Sequence, residues 1–352
     1  MRVLLGSHRF PPDGTTGVER ITEGLATELR ARGDEVAIVC ARPAGAFERI
    51  PLRERLPNGA TVYRCLVGDI ESHRFLSEHE LLERAFARIL TEFDPEVAHF
   101  MHLLDLSPRF VTMAQDLGAA VVLSLQDFYL VCAEVRLRKT SGELCAGPNG
   151  GRECAATCFA AQAQALPRWS LRTAYFRRLL DLADGLIAPS AYVADYFRGL
   201  GVDAARLRTV ANPISVPGAA PERTEHPSPR EPGRLVVAFL GTVLPFKGLH
   251  VLLEALHLAR IPAVELNAFG PVPNLVYLEE LRSAARRIPG LELRFFGSYD
   301  PACLPALLAD TDCTVVPSIW PETFAIVARE SFRCGVPILV SRLGGLPEAV
   351  RE

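Results

Sequence analysis

The run Gly241-Thr-Val-Leu-Pro-Phe-Lys247-Gly248 follows an apolar stretch and opens a helical pattern. A lysine at a strand–loop–helix junction can set its ammonium against a diphosphate. The two glycines leave the backbone free to bend around such a ligand. Taken alone, the same run also fits a lysine that merely solvates its loop. Residues 317–337 read PSIWPETFAIVARESFRCGVP and hold Glu322 and Glu330 with seven residues between them. Glu322 stands just before the expected helix and Glu330 two turns in; eight steps of about 100° return to within about 80° of the starting face, so both carboxylates would border one cleft. A carboxylate accepts two hydroxyl hydrogen bonds, which suits a ribose or hexose diol. A helix opening over Thr323, Phe324, Ala325 and Ile326 would add unpaired N–H donors for phosphate or sugar oxygens. Two solvated surface glutamates satisfy the spacing equally; the flanking P-E-T-F and C-G-V-P sharpen the case.

Two glycine-bearing loops join this set. Residues 6–20, GSHRFPPDGTTGVER, place Gly14 and Gly17 before a helix that starts near Val18. Positive φ at these glycines and the helix N-terminus would suit an anion. The pair does not form the dinucleotide fingerprint G-x-G-x-x-G. Near the end, Ser341-Arg-Leu-Gly344-Gly345-Leu-Pro347-Glu348 follows a strand and could bring backbone amides to a ligand, or be a plain turn.

Cys132, Cys145, Cys154 and Cys158 fall within 27 residues, with twelve, eight and three residues between them. Such a cluster fits a structural metal, reduced thiols or disulfides, and the spacing is not that of a standard zinc finger. The other five, Cys40, Cys65, Cys303, Cys313 and Cys334, sit in apolar surroundings and read as buried free thiols. His99 and His102, in HFMH, have a spacing a metal can use but read better as polar residues lining a cleft. Trp169, Arg172, Tyr175, Phe176, Arg177 and Arg178 suggest an amphipathic helix. It reads as a packed helix with a solvated basic face, with peripheral membrane contact as the alternative.

The elements that must hold these residues alternate along the chain. Strands are expected at Arg2–Leu5, Val36–Val39, Val97–Phe100, Ala120–Leu125, Leu186–Ala188 and Leu207–Val210, with a helix over Val18–Leu29. The segment Asn212–Arg234 is rich in proline and charge and cannot join a sheet interior. The alternation resumes with strands at Leu235–Leu240, Val264–Phe269, Leu291–Phe296, Thr314–Val316 and Ile338–Val340. Helices fit between them at Leu249–Leu258, Leu275–Arg287, Leu304–Ala309 and Thr323–Cys334. The expectation is therefore an α/β protein of two tandem, doubly wound parallel sheets. Residues 1–211 form the first domain, 212–234 a linker and 235–352 the second. Ligands of such sheets bind at the carboxyl ends of strands, so the cleft between the domains is the expected site.

Composition narrows the class. The 352 residues are 49% hydrophobic and 22% charged, which excludes a disordered chain, a collagen and a coiled-coil rod. A net charge of −3 gives no support for general nucleic-acid binding. No apolar run approaches the ~20 residues of a membrane span, and the first residues lack a signal-peptide core. A cytoplasmic protein, or one at the inner face of a membrane, is expected.

The four motifs, in this order and each at a strand end, resemble retaining glycosyltransferases of the GT-B fold, in the group 1 or family 4 class. The resemblance spans residues 1–352. It implies transfer of a sugar from a nucleotide-sugar donor (UDP-, GDP- or ADP-linked) to a hydroxyl of a sugar, lipid-linked or small-molecule acceptor. Anomeric configuration would be retained, in polysaccharide, glycolipid or glycoconjugate synthesis. It implies that Lys247 neutralises the leaving diphosphate, that Glu322 holds donor-sugar hydroxyls, and that Glu330 binds the ribose. Amides around Phe324, Ala325 and Ile326 would meet sugar or phosphate, and Gly17 would close on the phosphates. Gly241 and Thr242 belong to the donor loop. The chemistry calls for no metal, since lysine and helix termini serve instead.

The chain departs from the family's pattern at several places. Many relatives have arginine where this chain has Thr242. His-Asp is replaced by Gln126-Asp127, leaving Gln126 able to bond a sugar hydroxyl but unable to titrate near neutrality. Ala325 stands where glycine is common. The pattern ordinarily continues beyond residue 352 with a helix-rich segment, so the chain reads as C-terminally incomplete. A non-catalytic sugar-nucleotide-binding module is the alternative, and a Rossmann oxidoreductase is disfavoured by the missing fingerprint.

Overall fold

A computed structural model of the chain describes residues 1–14, 17–43, 52–67, 79–214 and 233–351. It divides into two compact units, Met1–Pro213 and Ile214–Glu352. Residues 215–232, most of the expected linker, lie outside the described residues.

The first unit runs β1 (Arg2–Ser7), α1 (Gly17–Ala31), β2 (Glu35–Pro43), β3 (Arg53–Arg55), β4 (Thr61–Val67), α2 (Glu80–Phe93) and β5 (Val97–Phe100). It continues α3 (Phe110–Asp116), β6 (Ala120–Ser124), α4 (Arg152–Ala156), α5 (Ala165–Leu182), β7 (Gly185–Ala188), α6 (Ala191–Gly199) and β8 (Leu207–Thr209). Its eight strands are ordered β3-β4-β2-β1-β5-β6-β7-β8. All pairings are parallel except that of the short β3 with β4. Val3, Leu5, Ile38, Cys40 and Val62 from adjacent strands bury one face of the sheet.

The second unit runs β9 (Arg234–Leu240), α7 (Leu249–Ala259), β10 (Ala263–Phe269), α8 (Leu275–Arg286), β11 (Leu291–Gly297) and α9 (Leu304–Leu307). It ends with β12 (Cys313–Val316), α10 (Ile326–Arg333), β13 (Ile338–Val340) and α11 (Leu346–Ala349). Its five strands are all parallel, ordered β11-β10-β9-β12-β13. Strand β9 is apolar almost throughout, as a central parallel strand covered on both faces must be. The edge strand β11 alternates half-buried and exposed residues.

In each sheet the strand order reverses beside the first strand: at β1/β5 in the first unit and at β9/β12 in the second. Loops leaving the carboxyl ends at such a reversal diverge to opposite faces and leave a crevice. Among the described residues no helix is long and apolar enough to cross a membrane.

Eleven of the thirteen described strands, all but β3 and β4, fall where the periodicity places them. Strands β3 and β4 and helices α2, α3, α4, α6 and α11 were not expected. In β4, Arg64 interrupts the apolar run, yet it is only 3% exposed because Glu54 and the Pro11 carbonyl receive its guanidinium. The aromatic face of α5 is not available to a membrane, since Trp169, Arg172 and Phe176 are all buried. Nor is Arg172 on a solvated basic face: it reaches inward to the Tyr129 carbonyl at 2.6 Å. Of the five dispersed cysteines, Cys303 is exposed rather than buried.

Candidate functional site

Strand β9 delivers the chain into Gly241, whose φ is 123°, then into a 3-10 turn at Pro245–Lys247 and Gly248 at φ 77°. Strand β12 delivers Pro317 into the facing loop. A Cβ on Gly248 would lie 1.9 Å from the Pro317 carbonyl oxygen, so only glycine lets the two loops meet. They are joined where the Ile319 amide donates to the Phe246 carbonyl at 3.0 Å. The strand reversal and this contact together bring Lys247 to Glu322.

The Lys247 ammonium donates to Glu322 Oε1 at 2.7 Å. The same oxygen accepts from Ser318 Oγ at 2.6 Å and from Trp320 Nε1 at 2.9 Å. The lysine also lies over the Trp320 and Phe246 rings, 5.3 and 5.9 Å from their centroids. The Glu322 side chain is 7% exposed and that of Lys247 is 25% exposed. The carboxylate is therefore fixed by three donors inside the protein, while the cation keeps a solvent-facing side. Such a cation, held on an aromatic platform, can accept a phosphate without the site having to reorganise.

The helix after Glu322 starts later than its spacing suggests. Ala325 precedes α10 in the left-handed region, at φ 56°, and α10 begins at Ile326. Glu322 and Glu330 are thus not on one continuous helix, and the eight-step rotation does not apply to them. Glu330 lies one turn into α10 and is 1% exposed. Thr323 and Phe324 are buried. Arg329 donates to the Phe324 carbonyl and stacks on its ring at 3.8 Å, holding the non-helical turn.

The terminal diglycine supports Glu322 from behind. A Cβ on Gly344 would meet the Glu322 carbonyl oxygen at 2.2 Å, and the Gly345 amide donates to that same carbonyl at 2.6 Å. That amide serves the protein rather than a ligand. Thr242 is partly exposed on the donor loop.

The expected residues of the first unit are placed differently. Gly17 is the first residue of α1, and Gly14 does not have positive φ. Both amide atoms of Gln126 are engaged by Asn212, at 2.9 and 2.8 Å. HFMH divides its histidines: His99 Nε2 lies 2.8 Å from Ser124 Oγ, and His102 Nε2 lies 2.5 Å from Asp127 Oδ2. The Leu104 amide donates to His102 Nδ1 at 2.9 Å, which keeps the proton on Nε2, facing the carboxylate. Burial lowers the His99 pKa to about 4 and holds that of His8 well below the usual histidine value. The His8 ring is tilted against that of His102, with ring centroids 4.8 Å apart, and lies 3.3 Å from Glu19. Arg9 pairs with Asp105 at 2.8 Å. This buried polar set gathers beside the β1/β5 reversal.

Ser318, Trp320, Arg329 and the His102–Asp127 pair were not singled out as working parts by sequence. The motif boundaries did contain Ser318 and Trp320, and a buried acid needs donors. That requirement was the available signal.

Known proteins bear on this geometry. Residues 16–213 match the glycosyl transferase 4-like domain, and residues 222–352 match glycosyl transferases group 1. The chain is a group 1 glycosyltransferase of the GT-B fold. It is 27% identical to a glycogen synthase of Mycobacterium tuberculosis over 99% of this chain and 80% of the relative. It is 33% identical to a D-inositol 3-phosphate glycosyltransferase of Corynebacterium efficiens over 50% of this chain and 44% of that protein. A solved Anabaena protein, HepE in complex with UDP and glucose, shares the fold with a TM-score of 0.63 at 17% identity. The similarity covers 99% of this glycosyltransferase and 82% of that chain.

Proposed function

We propose that this glycosyltransferase moves a hexosyl group from a nucleoside diphosphate sugar to an acceptor hydroxyl with retention of anomeric configuration. The product would be a polysaccharide, glycolipid or other glycoconjugate. The observation that carries the reading is the Lys247 ammonium, anchored on Glu322 and partly exposed at the strand reversal of the second unit. The Anabaena structure with UDP and the glycogen synthase relative support a nucleotide-linked donor.

In the proposed reaction the bond from the anomeric carbon to the diphosphate oxygen breaks as the acceptor oxygen bonds to the same face of that carbon. The acceptor's proton passes to the departing phosphate oxygen. Negative charge grows on the diphosphate, and Lys247 stabilises it where it grows. Trp320 and Phe246 keep the lysine in place, so the charge need not reorganise. Glu322, the amides of Phe324, Ala325 and Ile326, and Glu330 are proposed for the donor's sugar, phosphates and ribose. The first unit would serve the acceptor. The protein supplies positioning and charge rather than a covalent intermediate.

Thermal stabilisation by UDP-, GDP- and ADP-sugars identifies the donor, since a ligand that binds only the folded state raises the melting temperature. Proton NMR of the first product formed from that donor then reads the anomeric configuration. An inverted product sinks the retaining mechanism. Stabilisation by a donor that is neither hydrolysed nor transferred to any hydroxyl acceptor would leave a binding module instead.

A further inference from the structure

The forty residues between β6 and α5 contain little regular structure: one isolated bridge, a 3-10 turn and the five-residue α4. Long irregular segments inside compact domains usually have a job or a staple. All four clustered cysteines, Cys132, Cys145, Cys154 and Cys158, line one pocket within this segment. They come from three local devices.

Cys132 sits in a tight loop closed by the Cys132 amide on the Phe128 carbonyl (2.7 Å), Val135 on the Cys132 carbonyl (2.9 Å) and Phe128 on the Val135 carbonyl (3.2 Å). Closing it places Val135 at φ 67° and Leu137 at φ 50°. The left-handed region is unfavourable for any residue with a Cβ, and most of all for a β-branched one. What the loop achieves with that strain is to direct backbone amides of Glu134, Arg136 and Leu137 at the Cys132 sulfur. Cys145 is at the exit of a hairpin, its amide on the Leu137 carbonyl at 2.8 Å, with Lys139 and Glu143 paired across the turn. Cys154 lies in α4, and Cys158 follows four residues later. Cys158 lies beyond the end of α4 at Ala156, and both cysteines line the same pocket.

We propose that Cys132, Cys145, Cys154 and Cys158 bind one structural zinc ion as a tetrathiolate. Four thiols suit zinc in a closed, tetrahedral site. The ion would tie the amide-caged loop, the hairpin and α4 into one body, which these short elements cannot do by packing alone. Each coordinated thiol gives up its proton on binding, so the completed site carries two net negative charges. Arg172, buried on α5, is near enough to Cys132 and Cys154 to feel their negative forms and offsets part of that charge. Among the described residues no three metal-binding side chains already stand around a common point. Closure would require the four cysteine side chains to turn toward one another about Cα–Cβ. His99 and His102 take no part, since each has its own partner elsewhere.

Metal analysis of the whole protein, purified under reducing conditions, tests this without any assay of transfer, so it can fail independently of the proposed function. About one zinc per chain is expected. The double variant C154S/C158S should lose it, while C303S, at an exposed thiol outside the cluster, should keep it. Cobalt(II) exchanged into the wild-type protein should show intense sulfur-to-cobalt charge transfer and the visible bands of a tetrahedral site. This second reading stands even if the double variant does not fold. Wild-type protein that holds no zinc and takes up neither zinc nor cobalt would overturn the proposal. So would iron with acid-labile sulfide, or disulfides joining these four cysteines.

Discussion

Both units gather charged side chains at the same topological place, yet they do so in opposite ways. In the second unit two short loops, leaving β9 and β12, carry everything: Lys247 on one, Ser318, Trp320 and Glu322 on the other. The acid is buried and triply bonded, and the cation keeps a free side. In the first unit the polar set comes from residues 8, 9, 19, 102, 105 and 127, and the His102 side chain is only 5% exposed. The first arrangement is a rigid cation on offer to a ligand. The second is an internally paired network whose members hold one another. A reversal of strand order supplies the crevice in both, but only the loop chemistry decides whether a charge is presented or tied down.

The largest test of that contrast is Lys247→Ala. Removing one preorganised charge donor from a developing anion typically costs on the order of 10²–10³ in turnover. We expect a kcat loss of that size, with donor affinity, read by thermal shift, much less affected. A fall in affinity with kcat unchanged would place the lysine on the ground state instead. Lys247→Met keeps the packing on Trp320 and should show the same loss, which separates charge from structure.

Next in size is Gly248→Ala. It puts a Cβ against the Pro317 carbonyl and a non-glycine residue at φ 77°. Left-handed strain and overpacking together predict about 2–5 kcal/mol of lost stability in chemical denaturation. Gly297 is the control: its φ is 75°, but nothing lies within 4 Å of the added Cβ. Gly297→Ala should cost only the strain, about 1–2 kcal/mol. Equal losses at the two positions would mean that the contact between the β9 and β12 loops contributes nothing.

The same contrast explains what could be read from sequence. The second unit's loops are contiguous, so Lys247, Glu322 and the glycines announce themselves within a few residues of a strand end. What spacing could not show was the left-handed step at Ala325, which breaks the helix assumed between Glu322 and Glu330. It also could not show that Gly344 and Gly345 serve the Glu322 backbone. The first unit's network joins residues more than a hundred positions apart, and no local pattern marks His102 as Asp127's partner. Gln126 looked available only because Asn212, its partner 86 residues away, stood in a stretch that read as linker. Strands with apolar runs were legible throughout. Those carrying buried arginines, such as β4, were not, because burial of a charge is decided by partners far along the chain.

A pH series probes the first unit. His99 is held neutral in the fold, with its pKa lowered by burial to about 4 against an ordinary 6.5. The unfolded chain therefore binds more protons between those values, and stability rises with pH across that window. The His99 contribution is fully present above about pH 6.5 and is lost as the pH falls toward 4. Since its ring is only partly covered, we expect a loss of about 1–3 kcal/mol rather than the full shift. His99→Gln, which can still bond Ser124, should flatten that part of the profile and leave turnover at neutral pH unchanged. An unaltered acid limb would show that His99 does not set it.

The smallest effect is expected at Ala325, where the two ways of building a site meet in one residue. The turn from Glu322 into α10 needs a left-handed residue, and this chain supplies alanine at φ 56°, ψ 67°. Glycine would relieve about 1–2 kcal/mol of Cβ–backbone conflict in the fold. Its freer unfolded chain would return roughly 0.4–1 kcal/mol of that. The net expectation for Ala325→Gly is a modest gain, read as a rise in denaturation midpoint at constant m-value. Ala325 is 8% exposed and packs with Val316, Ala328 and Leu346, so the gain is further trimmed by lost burial. A decrease in stability would show that this packing outweighs the strain. The left-handed step would then be held by the core behind α10 rather than tolerated for the sake of the donor loop.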